Sequence, residues 1–370
     1  MKREINILRK MNRQIKEKRP VLSAQELCSI FLSGDLLEIG FLSKQCKNDL
    51  CGSCLMCDYG YMRQMGAADE YIKEMKTILA KNTDGIDYLL LCTNGSFFDS
   101  YQISDEILIA ILMEAQKCPI PNIIIETHYK DVTKEKLDIV NQIIHKPVTI
   151  EMGLETINQK YQDVFFMKGI SIKEYLSTIS LIKEYNYNVD LNIMLGLPLL
   201  SPNQQIKDTI DTIEWAVQHG CIPVLFPINI KYYTFLRYLY DTKIYEPIPL
   251  WMVIMVLNKI SDKALENIVV AWYGNRDESY ADNTPNIMPQ TCPICGDLLT
   301  GFISDLHRTN DVSKRKQLIS ELLRKSTCKC LTALYDSQNQ SDCNFDHNFQ
   351  CLLESLNTID MSNGKGDING

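Results

Sequence analysis

The stretch CKNDLCGSCLMCDYG, residues 46–60, carries four cysteines within twelve positions. Thiols packed this densely oxidise and cross-link unless something binds them, so the run reads as a ligand set. Four thiolates close a site around structural zinc or an electron-transfer cluster. Three leave one iron of a [4Fe–4S] cube without a protein ligand, open to a substrate or cofactor. Four residues separate Cys46 from Cys51, and two separate each of Cys51, Cys54 and Cys57, so both readings stay open on the residues alone. A second set follows much later. Cys292-Pro-Ile-Cys295-Gly has the tight turn of a metal knuckle, and Cys328-Lys-Cys330 supplies another pair 32 residues on. Zinc and a second iron–sulfur cluster both suit that quartet. Of the other cysteines, Cys28, Cys92, Cys118 and Cys221 lie in or beside apolar segments and read as small core hydrophobes. Cys343 and Cys351 sit in or near a polar region, without an assigned role.

The 370-residue chain is 45% hydrophobic and 23% charged, ordinary for one or two globular domains. Fourteen cysteines, clustered within long periodic apolar sequence, fit a cytoplasmic metal protein better than a secreted disulfide scaffold. No run of about 18 apolar residues suggests a membrane span. The basic opening MKREINILRKMNRQIKEKRP lacks the apolar core of a signal peptide and reads as a solvated or fraying segment. A net charge of −8 gives no sign of a nucleic-acid grip, while leaving room for a local basic groove.

These cysteines need elements to position them. SAQE (23–26) has the form of a capping box and predicts a short helix through about Leu32. DLLEIGFL (35–42) is a strand running into the cysteine loop, and 61–81 has helical spacing. From there strands and helices alternate. Strands are expected at IDYLLLC (86–92), NIIIET (122–127), VTIEMG (148–153), VDLNIMLG (189–196) and IPVLFPINI (222–230). Helices are expected over 104–118, 133–144, the stretch to Tyr185, and 203–219. Six strand–helix units are too few for a closed eightfold barrel and predict an α/β fold, a partial (β/α)6 barrel. Chemistry then belongs at the C-terminal strand ends. Polar sequence gathers there: the cysteine loop, TNGSFF, ETHYK, GLET, GLP and NIKYY. From about residue 262 the pattern changes to one plausible strand, NIVVAW, a loop through CPICG, and two helices to about Lys325.

Residues 35–260 resemble the core of the radical S-adenosylmethionine (SAM) superfamily of Elp3-like type, and within it the radical SAM subunit of archaeosine synthase and its uncharacterised kin. The loop lacks the shorthand three-then-two cysteine spacing. It is similar instead to the longer form of these relatives: Cys46, seven residues, Cys54, two residues, Cys57, then Asp-Tyr-Gly. Gly52-Ser53-Cys54 resembles the family's Gly-Gly-Cys. The resemblance implies that Cys46, Cys54 and Cys57 hold a [4Fe–4S] cluster, with Cys51 an extra thiol. The open iron would chelate the SAM amino and carboxylate groups, and one electron would cleave SAM to a 5'-deoxyadenosyl radical. Asn94, Gly95 and Ser96 stand where the family receives the SAM amino group, and Glu126 resembles its cavity-facing glutamate. GLET with Lys168-Gly169 resembles the GLES…KG pattern. It implies Glu155 on the ribose or amino group and Lys168 on the carboxylate. Gly196 in MLGLP would pack on adenine, and Asn229 in FPINIKYYT would lie near the nucleoside. The likeness continues to about residue 335, through EPIPLWMVIMVLNKI and the second cysteine set.

The organisation expected from these readings is an N-terminal basic segment and helix (1–34) and a radical SAM core (35–261). A metal-binding subdomain (262–335) follows, pinned over the barrel mouth by Cys292, Cys295, Cys328 and Cys330, and then a polar, flexible tail (336–370). The implied enzyme abstracts hydrogen from an unidentified substrate above the barrel, with a reductant such as flavodoxin or ferredoxin as partner. His128, Tyr129, Tyr232, Tyr233 and Arg237 are the candidate substrate-facing residues. Archaeosine synthesis acts on a lysine-modified base of transfer RNA by C–N cleavage. The acidic net charge fits small-molecule or peptide tailoring at least as well. Two other readings compete: a non-catalytic zinc scaffold that uses both cysteine sets as knuckles, and a scaffold that keeps SAM without turnover.

Overall fold

Side chains alternate along the central strands between the dry core and a cavity-facing side of mixed polarity. Leu37, Ile39, Leu89, Leu91, Ile123, Ile125, Ile150, Met152, Leu191 and Ile193 join the main hydrophobic core. Glu38, Cys92, Glu126, Glu151, Asp190 and Asn192 lie between them in sequence and border a central cavity. The computed structural model describes residues 2–19, 27–60, 66–274, 286–338 and 342–358. It arranges eight strands in sequence order in one sheet. These are β1 (Cys28–Ser33), β2 (Leu36–Phe41), β3 (Tyr88–Thr93), β4 (Asn122–Thr127), β5 (Val148–Glu155), β6 (Asn188–Leu195), β7 (Ile222–Pro227) and β8 (Val269–Val270). From β2 to β8 every pairing is parallel; β1 runs antiparallel on β2. The first and last strands do not pair with each other, so the sheet is a partial barrel.

The helices are α1 (Lys2–Lys16), α2 (Lys47–Leu50), α3 (Ala68–Leu79), α4 (Asp105–Lys117), α5 (Lys134–Ile143), α6 (Gln159–Tyr161), α7 (Ile172–Glu184) and α8 (Pro202–Gln218). After them come α9 (Phe235–Asp241), α10 (Trp251–Lys259), α11 (Asp262–Asn267), α12 (Gly296–His307), α13 (Val312–Lys325), α14 (Lys329–Gln338) and α15 (Phe345–Thr358). Ser104, Thr133 and Ser201 cap α4, α5 and α8 through side-chain oxygens. The strand–helix alternation between residues 86 and 230 is therefore as expected from sequence.

Four expectations differ. The helix expected through Leu32 is strand β1 instead. Gly34, at φ +60°, supplies the two-residue turn that pairs β1 onto β2, and that pairing overrides the local cap signal. The capping box itself, 23–26, lies outside the described residues. The basic opening is not a solvated segment: it forms α1, with Leu8, Met11, Asn12 and Lys16 buried. The helical stretch toward Tyr185 is interrupted by a π-helical turn, Gln162–Phe166, and by Met167 at φ +53°. The expected flexible tail contains α15, whose Phe345, Phe349, Leu352, Leu353 and Leu356 are buried beside Leu8, Leu55, Phe165 and Phe235 in a second apolar cluster. That cluster joins α1, the cysteine loop, the π turn, α9 and α15 at the C-terminal end of the barrel.

Candidate functional site

Short elements shape the cysteine loop. Cys46 is the residue before α2, and Cys51 is the residue after it. Cys54 takes the left-handed conformation, φ +55°, which reverses the chain between Gly52 and Cys57. Its N–H donates to the Phe166 carbonyl at 2.8 Å, and the Leu55 N–H donates to that of Phe165 at 2.9 Å. The π turn after β5 thus holds the loop from one side. Helix α1 holds it from the other. Asn12 Nδ2 donates to the carbonyls of Gly52 (2.9 Å) and Ser53 (3.1 Å), while its Oδ1 accepts from the Phe235 N–H at 3.1 Å. Lys16 donates to the Ser53 and Cys54 carbonyls at 2.9 and 3.2 Å, and both Lys16 and Arg19 pair with Asp49. Asn12 is fully buried. Asn12→Ala leaves the Gly52 carbonyl and the Phe235 N–H without these partners, at about 1–3 kcal/mol each before relaxation. We expect a lowered urea midpoint and faster loss of bound iron, read by denaturation and iron analysis.

A cavity of about 1180 Å³ runs through the partial barrel. Cys46, Cys54 and Cys57 border it, with Asn94, Gly95, Glu126, His128, Glu155, Lys168 and Asn229. These come from the ends of β2, β3, β4, β5 and β7, and from the loop after the π turn. Cys51 is exposed and does not border the cavity. Six expected site residues lie elsewhere. Ser96 ties strand ends together, sharing a 2.8 Å hydrogen bond with Thr127 Oγ1 and accepting from the His128 N–H. Gly196, at φ +117°, places its carbonyl under the Tyr245 hydroxyl at 2.7 Å. Tyr232, Tyr233 and Arg237, which flank the Thr234 cap of α9, do not border the cavity. Arg237 pairs with Asp241 at 2.9 Å and lies over the Tyr232 ring. Tyr129 packs on Tyr175 and bonds Glu174, also outside the cavity.

Glu155 is held in a strained backbone conformation at the end of β5. It sits at φ +68° after a register shift between β5 and β6, a bulge that re-aims a side chain at the strand end. Its Oε1 accepts from Lys168 at 2.7 Å. Desolvation lowers the Lys168 pKa, but Glu155 and Cys54 outweigh it and hold the ammonium well above its usual range. Burial raises the Cys54 thiol and pushes Cys57 up to about 11, opposed by Lys168 and Lys231 respectively. Thiolate ligation there releases protons, and the two lysines favour it. Burial, with Lys168 and Lys130, pushes His128 down to about 3, so its imidazole is neutral near pH 7.

Sequence reasoning missed Lys231, Asp58, Tyr59, Trp272 and Asn192. Lys231 pairs with Asp58 at 3.1 Å and lies over the Tyr59 ring at 3.7 Å and the Trp272 ring at 4.9 Å. Lys231, Tyr59, Trp272 and Asn192 border the cavity. Their signal is three-dimensional, since they come from separate segments spread between Asp58 and Trp272.

Two observations test whether a cluster and a nucleoside ligand fit. A Cβ on Gly95 would lie 2.9 Å from Cys46 Cβ and 3.0 Å from its Sγ, so only glycine lets this backbone approach the thiol. Buried polar atoms at the cavity also lack protein partners: Glu155 Oε2, Asn229 Oδ1, Asn192 Oδ1 and His128 Nε2. The residues fit a polar ligand beside three thiols. Gly95→Ala should cost about 1–3 kcal/mol through this overlap. It should lower iron per chain in the folded protein, as checked by metal analysis beside a thermal melt.

The second cysteine set is brought together. The ligand atoms of Cys292, Cys295, Cys328 and Cys330 all lie within 4.8 Å of one another. Among the described residues, the loop cysteines do not form such a tight group.

No family model matches the chain. It is 25% identical over 228 residues to archaeosine synthase subunit beta of Methanosarcina acetivorans, covering 60% of this chain and 66% of that one. It is 22% identical over 260 residues to an uncharacterised protein of Methanocaldococcus jannaschii, covering 67% and 71%. The chain thus spans just under two thirds of the Methanosarcina relative. Among solved structures it is similar to the archaeal Methanocaldococcus infernus Elp3 with an N-terminal deletion. That match has a TM-score of 0.46 and 13% identity, covering 64% of this chain and 58% of that one.

Proposed function

We propose, from the premise that the chain belongs to the radical SAM superfamily with an Elp3-like core, that it cleaves SAM reductively at a [4Fe–4S] cluster and abstracts hydrogen from a substrate in the same cavity. One observation carries this reading: Cys46, Cys54 and Cys57 open onto the cavity that the polar strand-end residues also border. These three thiols would hold the cluster, leaving one iron for SAM. When bound, cluster and SAM supply a one-electron carbon–sulfur cleavage that yields a hydrogen-abstracting radical.

The chain's own residues bind, orient and exclude water. Lys168 would meet the SAM carboxylate, with Glu155 on its amino or ribose donors. Asn94 and Gly95 would receive the amino group through backbone carbonyls. Glu126 and Asn229 would line the nucleoside. The neutral His128 and the Lys231–Tyr59–Trp272 group face the remaining space, where a substrate would lie. The apolar cluster of α1, the cysteine loop, α9 and α15 closes one side of the mouth against water.

The similarity to archaeosine synthase subunit beta favours a modified nucleobase as substrate over a peptide. A small acidic electron carrier such as flavodoxin or ferredoxin would supply the electron. No helix among the described residues is long and apolar enough to cross a membrane. The test is anaerobic reconstitution with iron and sulfide, reduction, and assay of 5'-deoxyadenosine from added SAM. Formation of the nucleoside is expected. A zinc-loaded chain that leaves SAM intact would favour the scaffold reading instead.

A further inference from the structure

Far from the loop cysteines in sequence, the second quartet has a geometry that discriminates between metals. Cys292 Sγ lies 3.5 Å from Cys295 Sγ and 3.4 Å from Cys328 Sγ, and all four sulfurs fall within 4.8 Å of one another. Four sulfurs at about 2.3 Å from one tetrahedral ion stand about 3.8 Å apart. In a [4Fe–4S] cube each thiolate caps a different iron, so the sulfurs are held roughly 6 Å apart. A [2Fe–2S] rhomb separates its two pairs in the same way. The observed quartet is therefore sized for one ion.

Local structure builds the site. The Cys295 and Gly296 N–H groups donate to the Cys292 carbonyl at 3.1 and 3.0 Å, closing the knuckle turn. Cys295 is fully buried, while Cys292 and Cys330 are half-exposed and leave an entry path. None of the four borders the barrel cavity, which argues against a substrate or an electron-relay site. The knuckle ends where α12 begins.

Helix α12 shows what the ion would hold. Leu299, Ile303 and Leu306 are buried in the core. On the opposite face, Asp297, Thr300, Ser304 and His307 border the barrel cavity. His307 Nε2 accepts from the Val270 N–H of edge strand β8 at 3.0 Å, and Ser304 shares a 2.9 Å hydrogen bond with Tyr273. Arg315 of α13 donates to the Leu265 and Glu266 carbonyls of α11. We propose that Cys292, Cys295, Cys328 and Cys330 bind a single tetrahedral zinc ion that clamps α12 in place as the wall beside the open edge of the barrel. A closed four-thiolate site contributes folding free energy directly and has no position for substrate.

The test uses the full chain with Cys46, Cys54 and Cys57 all replaced by alanine, so the barrel binds no iron. One zinc per chain and no iron are expected. Cobalt(II) in its place should give the visible absorption of tetrahedral tetrathiolate coordination. Iron with inorganic sulfide, or no tightly held metal, would overturn the proposal. Should that variant fail to fold, the wild-type chain gives the same answer: titration of its thiols with a mercurial should release one zinc, and release of none overturns the site. The clamp has its own readout. Stripping the zinc should speed amide exchange in α12 and β8 while leaving α4 unchanged, and unchanged exchange in α12 would remove the role assigned to the ion.

Discussion

Cys54→Ala should empty the barrel of iron and lower 5'-deoxyadenosine formation at least about 10³-fold, the loss expected when the reacting centre itself is removed. Cys51→Ala should leave iron content and turnover near wild type. The contrast follows from placement. Cys54 is buried, left-handed at φ +55°, and borders the cavity; Cys51 is exposed beyond α2 and does not. Iron analysis and the nucleoside assay, run on both variants beside a melting curve, check it. The melt matters because Cys54 is also a packing residue, and only a folded, iron-free variant reports on ligation. Equal losses from both substitutions would mean that all four loop thiols are ligands, and the site would then be closed.

Lys168→Met should lower turnover about 10²-fold or more and destabilise the chain as well. The Lys168 ammonium is 2.7 Å from Glu155 Oε1, and Glu155 is 4% exposed with Oε2 already lacking a protein partner. Removing one partner of a buried ion pair leaves an uncompensated charge and costs about 3–5 kcal/mol; the partial exposure of Lys168 places this case near the lower end. Adding Glu155→Gln removes that stranded charge. The double variant should therefore regain much of the stability and none of the turnover. A purely structural pair would recover both together, so the comparison separates the two roles. The melt supplies one axis, and SAM affinity with nucleoside yield supplies the other.

The barrel was legible because a parallel sheet writes itself twice into sequence: as apolar strands and as polar residues at their C-terminal ends. TNGSFF, ETHYK and GLET fall where β3, β4 and β5 end. The end of β7 shows the limit of that logic. Asn229 borders the cavity, but Tyr232, Tyr233 and Arg237, only a few residues on and flanking the Thr234 cap of α9, do not. A strand-end motif fixes where a loop starts, not where a cap redirects it. Helix α1 was illegible for a different reason. Asn12 and Lys16 look like any solvated helix face, and only the tertiary contact with the loop carbonyls shows that they are buried there. Strand β1 was hidden because a strong local cap signal preceded a segment whose structure is decided by pairing with β2. The second quartet illustrates the converse. Spacing identified the four cysteines, and only the distances between their sulfurs distinguish one ion from a cluster.

The most direct test of the central claim is the electron paramagnetic resonance spectrum of the reconstituted, reduced chain, recorded before and after SAM is added. Three thiolate ligands leave an open iron, so a [4Fe–4S] signal whose g-values shift when SAM binds is expected. A cluster signal that SAM does not move, or a protein with zinc and no signal, would contradict it.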